Sequence, residues 1–228
     1  MENLEQFLDD YRLKIELLRK MMKTTKYFRV AKQLALDIHA ITHSKSVSGL
    51  AEDTFFDQLI YGLTDEDYCV MPRDTDETIA WHIWHISRIE DIVGNLLMTK
   101  HEQVFSDELK ERMGTPVTDT ANAMTDEDII SFSKQINKAE LLNYRNMVGL
   151  RTRQIISELT PADIRRKAEE VDLNRLLETG CLINQKESLF LRDFWGRLTF
   201  GGMLCLPLTR HHMMHLPDSY TIKQLIHT

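Results

Sequence analysis

The sequence predicts an all-α protein with a four-helix bundle at its centre and additional helices around it. Its 228 residues include only five prolines and nine glycines, which leaves long segments without a helix breaker. Apolar residues recur at the spacing of three or four that is typical of helices, whereas the alternation expected of strands is weak. No repeat or shift in composition marks a linker, so we expect one domain over residues 1–228.

The N-terminal third of the chain predicts three helices. The first covers about residues 3–23, where apolar side chains form one face, and we expect that face to pack on the bundle or on a second subunit. Acidic residues on the other face disfavour a helix lying on a membrane surface. A second helix covers about residues 28–42 and is broken by the polar run 44–49, and a shorter helix follows at 53–63.

The middle of the chain contains the clearest helix, from about residue 77 to 98, after the N-cap candidates Thr75 and Asp76. Residues 101–124 are polar and poorly periodic, which predicts a loop. Thr125 caps a short helix, and a long helix runs from about 137 to 158.

The C-terminal part predicts a helical restart with Pro161 at its first position, and one last major helix. That helix begins near Ser188 and is bent near Gly201, Gly202 and Pro207. Pro217 is expected to help end it.

Charge and cysteine content limit the function classes. The net charge of −7 argues against a nucleic-acid partner, which calls for a basic surface. No segment approaches the roughly 20 apolar residues of a membrane span, and the first residues lack the features of a secretory signal. The three cysteines are scattered and form no CxxC pair. We therefore expect a soluble, cytoplasmic protein without membrane or nucleic-acid partners.

The most informative feature is the pair His211 and His215. Residues four apart lie on one face of a helix, where two imidazoles can hold one metal ion. The pair continues an apolar line through Leu204 and Leu208, which predicts that it faces the bundle interior. His212 is rotated by about 100° and is expected to point elsewhere. A buried imidazole needs a hydrogen-bond partner or a metal, so the pair is a candidate for ligation or for structural burial.

Two further histidine pairs accompany this one. His82 and His85 both lie on the apolar half of the 77–98 helix, and periodicity does not choose between them as a third ligand. His39 and His43 are also four apart, but they end a helix before a polar run, so we expect a structural role for them.

No nucleophile elbow, phosphate-binding glycine loop or Walker lysine is present. Glu90 and Asp91 are adjacent and must point in different directions. We expect them on a solvated face or as carboxylates behind a metal ligand, and not as an acid/base pair.

The segment TIAWHIWHISRIED at 78–91, followed by RHHMMHL at 210–216, resembles the DinB-like metal-binding superfamily (also called DinB/YfiT). The resemblance implies a four-helix bundle of up-down-down-up topology from about residue 28 onward, with residues 1–27 as an added N-terminal helix. It also implies that His85, His211 and His215 hold a divalent metal ion, with zinc or nickel expected.

Relatives in that superfamily include thiol-dependent transferases and isomerases that use mycothiol or bacillithiol. We therefore expect a metal-dependent thiol S-transferase acting on a small molecule, with a low-molecular-weight thiol as cosubstrate. Two alternatives remain. One is a metal-dependent small-molecule hydrolase, for which Glu90 is the base to test, and the other is a non-catalytic metal-binding or structural bundle. A homodimer is possible in each case. Trp81, Trp84, Phe194 and Trp195 are possible pocket walls, although core packing is their ordinary role.

Overall fold

The computed structural model describes residues 4–73 and 75–227, and these residues form helices without a β-sheet. A single antiparallel bridge, between Lys167 and Thr199, is the β pairing found in those ranges. The all-α prediction is confirmed. The α-helices of the described residues are α1 (Leu4–Met21), α2 (Phe28–Ile41), α3 (Lys45–Ser48), α4 (Phe55–Ile60), α5 (Ile79–Asp91), α6 (Asp107–Met113), α7 (Asp126–Gln135), α8 (Lys138–Glu158), α9 (Glu170–Glu178), α10 (Lys186–Arg197), α11 (Phe200–Cys205) and α12 (His212–Ile226).

Helix α5 is the centre of the molecule. It packs against α8 and α12, and α2 packs against α8 and α1. Every residue of α5 is buried, and the helix continues as a buried π-helical segment, Ile92–Thr99. A helix buried on all sides has no solvated face. Each polar side chain on α5 therefore needs a partner inside the protein.

The start of α5 differs slightly from the prediction. Thr78, and not Thr75 or Asp76, caps the helix, because its hydroxyl accepts a hydrogen bond from the Trp81 amide at 3.1 Å. The same hydroxyl is 2.6 Å from that of Ser133, which ties the cap to α7. The register of every later residue on α5 follows from this start.

Helix α1 packs against α2 and α11 of its own chain. Its apolar face is buried at Tyr11, Ile15 and Leu18, and the Tyr11 hydroxyl donates to the Thr209 carbonyl at 3.0 Å. Residues 1–3, the start of the expected N-terminal helix, lie outside the described residues. None of the helices in the described part of the chain combines the length and apolar character that crossing a bilayer requires.

Two predicted breaks contain short helices instead. The polar run 44–49 includes α3, which ends at Gly49 with φ 74°. The predicted loop 101–124 includes α6, which Ser106 caps and Gly114 ends with φ 67°. Helices of four and seven residues are too short to show a clear apolar period. Their caps were the available signal.

The C-terminal prediction of one bent helix is wrong. Three helices, α10, α11 and α12, take its place, and a turn over residues 206–211 separates the last two. Pro217 lies inside α12 and does not end it. The proline removes one i→i−4 hydrogen bond, but α12 continues past it because Leu216 and Ile222 are buried against the core.

Candidate metal centre

Three histidines from different parts of the chain converge beside the middle of α5. His85 lies on α5, His211 ends the 206–211 turn, and His215 lies in the first turns of α12. One possible ligand atom from each lies within 4.8 Å of the others. His85 is buried, whereas His211 and His215 are partly exposed. We call this group the triad, and it contains the three residues that the family resemblance implied as metal ligands.

Hydrogen bonding fixes which nitrogen His85 presents. Its Nδ1 is 2.7 Å from the Thr120 carbonyl oxygen, and a carbonyl only accepts, so Nδ1 carries the proton. The free Nε2 of His85 is then the metal-binding atom, an arrangement common among metal-ligating histidines. The Nε2 atoms of His211 and His215 are 3.1 Å apart. Two nitrogens bound to a tetrahedral zinc ion would be about 3.3 Å apart, so the pair fits such an ion.

His82 contacts one member of the triad, His215, without belonging to the triad. Its Nδ1 is 3.1 Å from the Nδ1 of His215, which is the ring nitrogen that does not face His211. His85, and not His82, belongs to the group that could hold a metal. The His82 contact therefore orients His215, while the Nε2 of His82 and the Nδ1 of His211 are buried without a partner among the described residues.

A segment of the predicted loop holds this face of α5 in place. Its successive carbonyls at 118–121 accept hydrogen bonds from side chains of α5: Thr118 from Arg88, Asp119 from Trp84, Thr120 from His85 and Ala121 from Trp81. Ala121 has φ 60°, which is unusual for a residue other than glycine. The sequence carries no signal for this segment because the acceptors are backbone atoms.

Aromatic packing completes the triad. Trp81 stacks on His85 with ring centroids 4.6 Å apart and planes 7° apart. Trp84 packs in the core against Phe105 and Phe132, and Trp195 is buried in a separate part of the core. Trp81 is thus the tryptophan beside the triad, and the other two have the packing role.

Burial keeps the triad neutral. Desolvation lowers the pKa of His85 to about 4 and that of His82 to about 3. Desolvation also lowers the pKa values of His211 and His215, and the neighbouring His85 lowers them further. At neutral pH the imidazoles carry the lone pairs that metal binding requires.

A second group of histidines surrounds Glu90. Its members, which we call the Glu90 cluster, are His39, His43, Glu90, Arg145 and His212, and all are fully buried. The Glu90 carboxylate is 2.8 Å from His39 Nε2 at one oxygen, and 3.1 Å from His43 Nε2 and from His212 Nε2 at the other. Arg145 Nη1 donates to that second oxygen at 2.6 Å. The expected solvated face at Glu90 is therefore wrong.

Electrostatics in the Glu90 cluster favour the ion pair. Burial raises the pKa of Glu90, but the surrounding groups, among them the charged Arg145 guanidinium that contacts the carboxylate, hold the pKa well below its ordinary value. Desolvation lowers the pKa of His212 to about 4 and that of His43 well below 6.5. His212 points away from the triad, as the helical rotation predicted, and Arg145 is the member that no sequence signal indicated.

Asp91 points to the opposite side of α5. It accepts hydrogen bonds from Tyr144 at 2.8 Å and Asn95 at 2.8 Å, and it pairs with Arg88 at 3.3 Å. Its backbone donors include the amide of Val104 at 2.9 Å. These contacts satisfy a buried carboxylate, so its role is structural.

A family model for the DinB superfamily matches residues 55–216. The chain belongs to the DinB superfamily. The matched range contains both motifs of the triad, together with Glu90, Arg145 and His212, and it excludes α1, α2, His39 and His43. The DinB-like protein therefore builds its Glu90 cluster partly from residues before the matched range. A comparison with curated proteins finds no match.

Proposed function

We propose that this DinB-like protein is a metal-dependent enzyme in which His85, His211 and His215 hold one divalent ion, with zinc or nickel as the expected metal. The observation that carries the proposal is the convergence of three neutral imidazoles, one of them locked through Nδ1 onto the Thr120 carbonyl. Three nitrogen ligands leave coordination positions open, which is typical of catalytic sites. When bound, the ion would act as a Lewis acid that favours the thiolate form of a thiol or lowers the pKa of water.

The reaction we propose is transfer of a group to a low-molecular-weight thiol. The thiol sulfur forms a bond to a substrate carbon, the bond to the leaving group breaks with its electron pair, and the thiol proton passes to solvent. In this reaction the protein positions the reactants, and the partly exposed His211 and His215 give them access. Thiolate attack needs no general base at the site once the thiol is ionised.

A cavity of about 540 Å³ lies between α1 and α12, and its lining comes close to the triad along the chain but contains none of the three histidines. Its wall includes Arg210, which precedes His211, and Met213 and Met214, which lie between His211 and His215 in the chain. Arg12 and Arg19 of α1 lie on the other side. Guanidinium groups bind anionic groups such as a carboxylate, and Glu16 and Asp218 bring negative charge to the same lining.

Hydrolysis is the weaker alternative because it needs a base near the metal. Glu90, the residue considered for that role, faces the Glu90 cluster and is ion-paired with Arg145. A cytoplasmic location and a homodimer remain predictions, as does the restriction to a single domain.

The test is metal content per chain by mass spectrometry on tag-free protein. His211→Ala is expected to bind about one equivalent less zinc or nickel than the parent, because three ligands become two. His101→Ala, which removes an exposed histidine elsewhere, is the matched control and should keep the parent's content. Equal metal content in all three proteins would overturn the metal centre.

Activity is measured on the same preparations. Metal-loaded parent is expected to consume a thiol in the presence of an electrophilic substrate, and His211→Ala is expected not to. Metal bound in full by the parent, with no thiol consumption across a substrate panel, would favour a non-catalytic bundle. Loss of thermal stabilisation by metal in His211→Ala would then assign a structural metal.

A further inference from the structure

In the Glu90 cluster, imidazole nitrogens that carry lone pairs face a carboxylate that can only accept hydrogen bonds. His43 Nδ1 is 3.1 Å from the His39 carbonyl oxygen, so this nitrogen must donate. A neutral imidazole has one N–H, and the Nε2 of His43 is therefore a lone pair. That lone pair faces a Glu90 oxygen at 3.1 Å, and two acceptors in contact repel each other unless a cation lies between them.

His212, like His43, turns a ring nitrogen with a lone pair toward Glu90. The Thr42 hydroxyl donates to the His39 carbonyl at 3.0 Å, and this uses its one proton. His212 Nδ1, at 3.0 Å from that hydroxyl, is then the donor, and its Nε2 is a lone pair. This Nε2 lies 3.1 Å from the same Glu90 oxygen and has no hydrogen-bond partner among the described residues.

Arg145 does not resolve this arrangement. Its Nη1 satisfies the Glu90 oxygen at 2.6 Å and its Nη2 donates to the Thr42 carbonyl at 3.1 Å. Neither group serves the lone pairs of His43 and His212. A metal ion bound to imidazoles and a carboxylate at about 2.1 Å holds its ligand atoms roughly 3 Å apart, which matches the separations in the cluster.

We propose that His39, His43 and Glu90 form a second site for one divalent transition-metal ion, with His212 Nε2 as a further donor. One possible ligand atom from each of the first three residues lies within 4.8 Å of the others. Imidazole nitrogens with a carboxylate favour zinc, nickel, copper or iron over magnesium or calcium. Arg145 donates a hydrogen bond to the Glu90 carboxylate. It would therefore compete with the ion for the carboxylate and also orient the carboxylate as a ligand.

The second site uses none of the triad residues and stands apart from the proposed function. Its donors are fully buried, so an ion there would have no open position for substrate and would exchange slowly. Loading and release require local opening of α2 or the 206–211 turn. If both sites are occupied, we therefore expect one ion to be released quickly and the other slowly.

The experiment compares tag-free parent, His215→Ala, His43→Gln and the double variant after incubation with zinc and removal of excess. The expected contents are about two, one, one and zero equivalents per chain, because each substitution removes a ligand from one site only. A chelator is then added, and zinc release is followed with a colorimetric indicator. The parent is expected to release zinc in a fast and a slow phase, and His43→Gln only in the fast phase.

Any one of three results overturns the second site. Equal zinc content in parent and His43→Gln would show that the cluster binds protons only, and so would a single fast phase of release in the parent. His215→Ala reports the triad separately, so either site can fail alone. If His43→Gln does not fold, as judged by circular dichroism, cobalt is loaded into His215→Ala. The absence of cobalt ligand-field bands in that folded variant would equally exclude the second site.

Discussion

The triad and the Glu90 cluster are made of similar side chains and differ in what surrounds them. The triad is partly exposed at His211 and His215, and a backbone carbonyl fixes His85. The Glu90 cluster is sealed, and a carboxylate and a guanidinium lie at its centre. An open group of neutral imidazoles leaves room for a substrate at a bound metal, whereas in a closed charged group the loss of one partner leaves an uncompensated buried charge.

Adjacent residues in one turn supply both groups. His211 ends the 206–211 turn and faces the triad, while His212 begins α12 and contacts Glu90. A movement of this turn would therefore displace a histidine of the triad and a histidine of the Glu90 cluster together. The comparison teaches that histidine spacing predicts where a ligand can be, and that surroundings decide what the histidine does.

Among these variants, Glu90→Gln should cause the largest loss of stability. Gln keeps the shape of the side chain but leaves Arg145 as a buried charge without a countercharge, so we expect the free energy of unfolding to fall by about 3–5 kcal/mol. Urea denaturation followed by circular dichroism measures it. Glu140→Gln is the matched control, since its pair with Arg112 is partly exposed to solvent and should contribute less than about 1 kcal/mol. Similar small losses in both variants would contradict the role of the sealed ion pair.

Gly149→Ala sharpens the comparison by crowding the Glu90 cluster without removing any of its members. A Cβ at residue 149 would lie 2.4 Å from His43 Cδ2, so the imidazole or α8 must shift. We expect a loss of about 1–3 kcal/mol in unfolding free energy and no effect on the triad's metal. In Gly202→Ala the nearest atoms are 3.5 Å from the new Cβ, so that variant should be neutral or more stable. A Gly149→Ala variant as stable as the parent would show that the cluster is loosely packed.

Acid should destabilise the metal-free protein through its buried histidines. The pKa of His85 is about 4 when folded and 6.5 in the unfolded chain, so between these values the unfolded chain binds the extra proton. The free energy of unfolding therefore falls as pH is lowered through that window, by about 1.4 kcal/mol per pH unit for this histidine. Urea midpoints measured at several pH values should give a shallower slope for His85→Gln.

Ile83→Val is the control for that slope. It alters a fully buried apolar residue on the same helix and is expected to lower stability equally at every pH. An unchanged slope in His85→Gln would mean that His85 titrates similarly in the folded and unfolded protein.

Trp81→Phe should have the smallest effect. It removes the indole N–H that donates to the Ala121 carbonyl at 3.1 Å and reduces the surface stacked on His85. Looser orientation of a ligand is expected to weaken zinc affinity of the triad by no more than about tenfold, measured by competition with a chelating dye. Trp195→Phe, in a separate part of the core, should leave zinc affinity unchanged. A loss of all zinc in Trp81→Phe would instead mean that the indole supports the whole fold of the site.

Much of the fold followed from local patterns. Helices α1, α2 and α8 begin and end within a few residues of their predicted bounds, because long amphipathic segments and caps such as Asn137 are local features. The failures were the short helices α3 and α6, the division of the C-terminal segment at Thr199 and residues 206–211, and the restart at Pro161, where a short 3-10 turn forms and α9 begins only at Glu170. In those places the outcome depended on packing more than on periodicity.

The sequence by itself determined the helical class, the superfamily motifs and the spacing that makes His85, His211 and His215 candidates, since these depend on residues close in the chain. Only the tertiary structure decided that His85 joins the other two while His82 contacts His215 from outside. It also decided that Glu90 is sealed with Arg145 and with three histidines, one on α2, one just after α2 and one on α12. The physical reason is that burial and hydrogen-bond partners come from residues far apart in the chain, such as the Thr120 carbonyl, whose chemistry no side-chain pattern reveals.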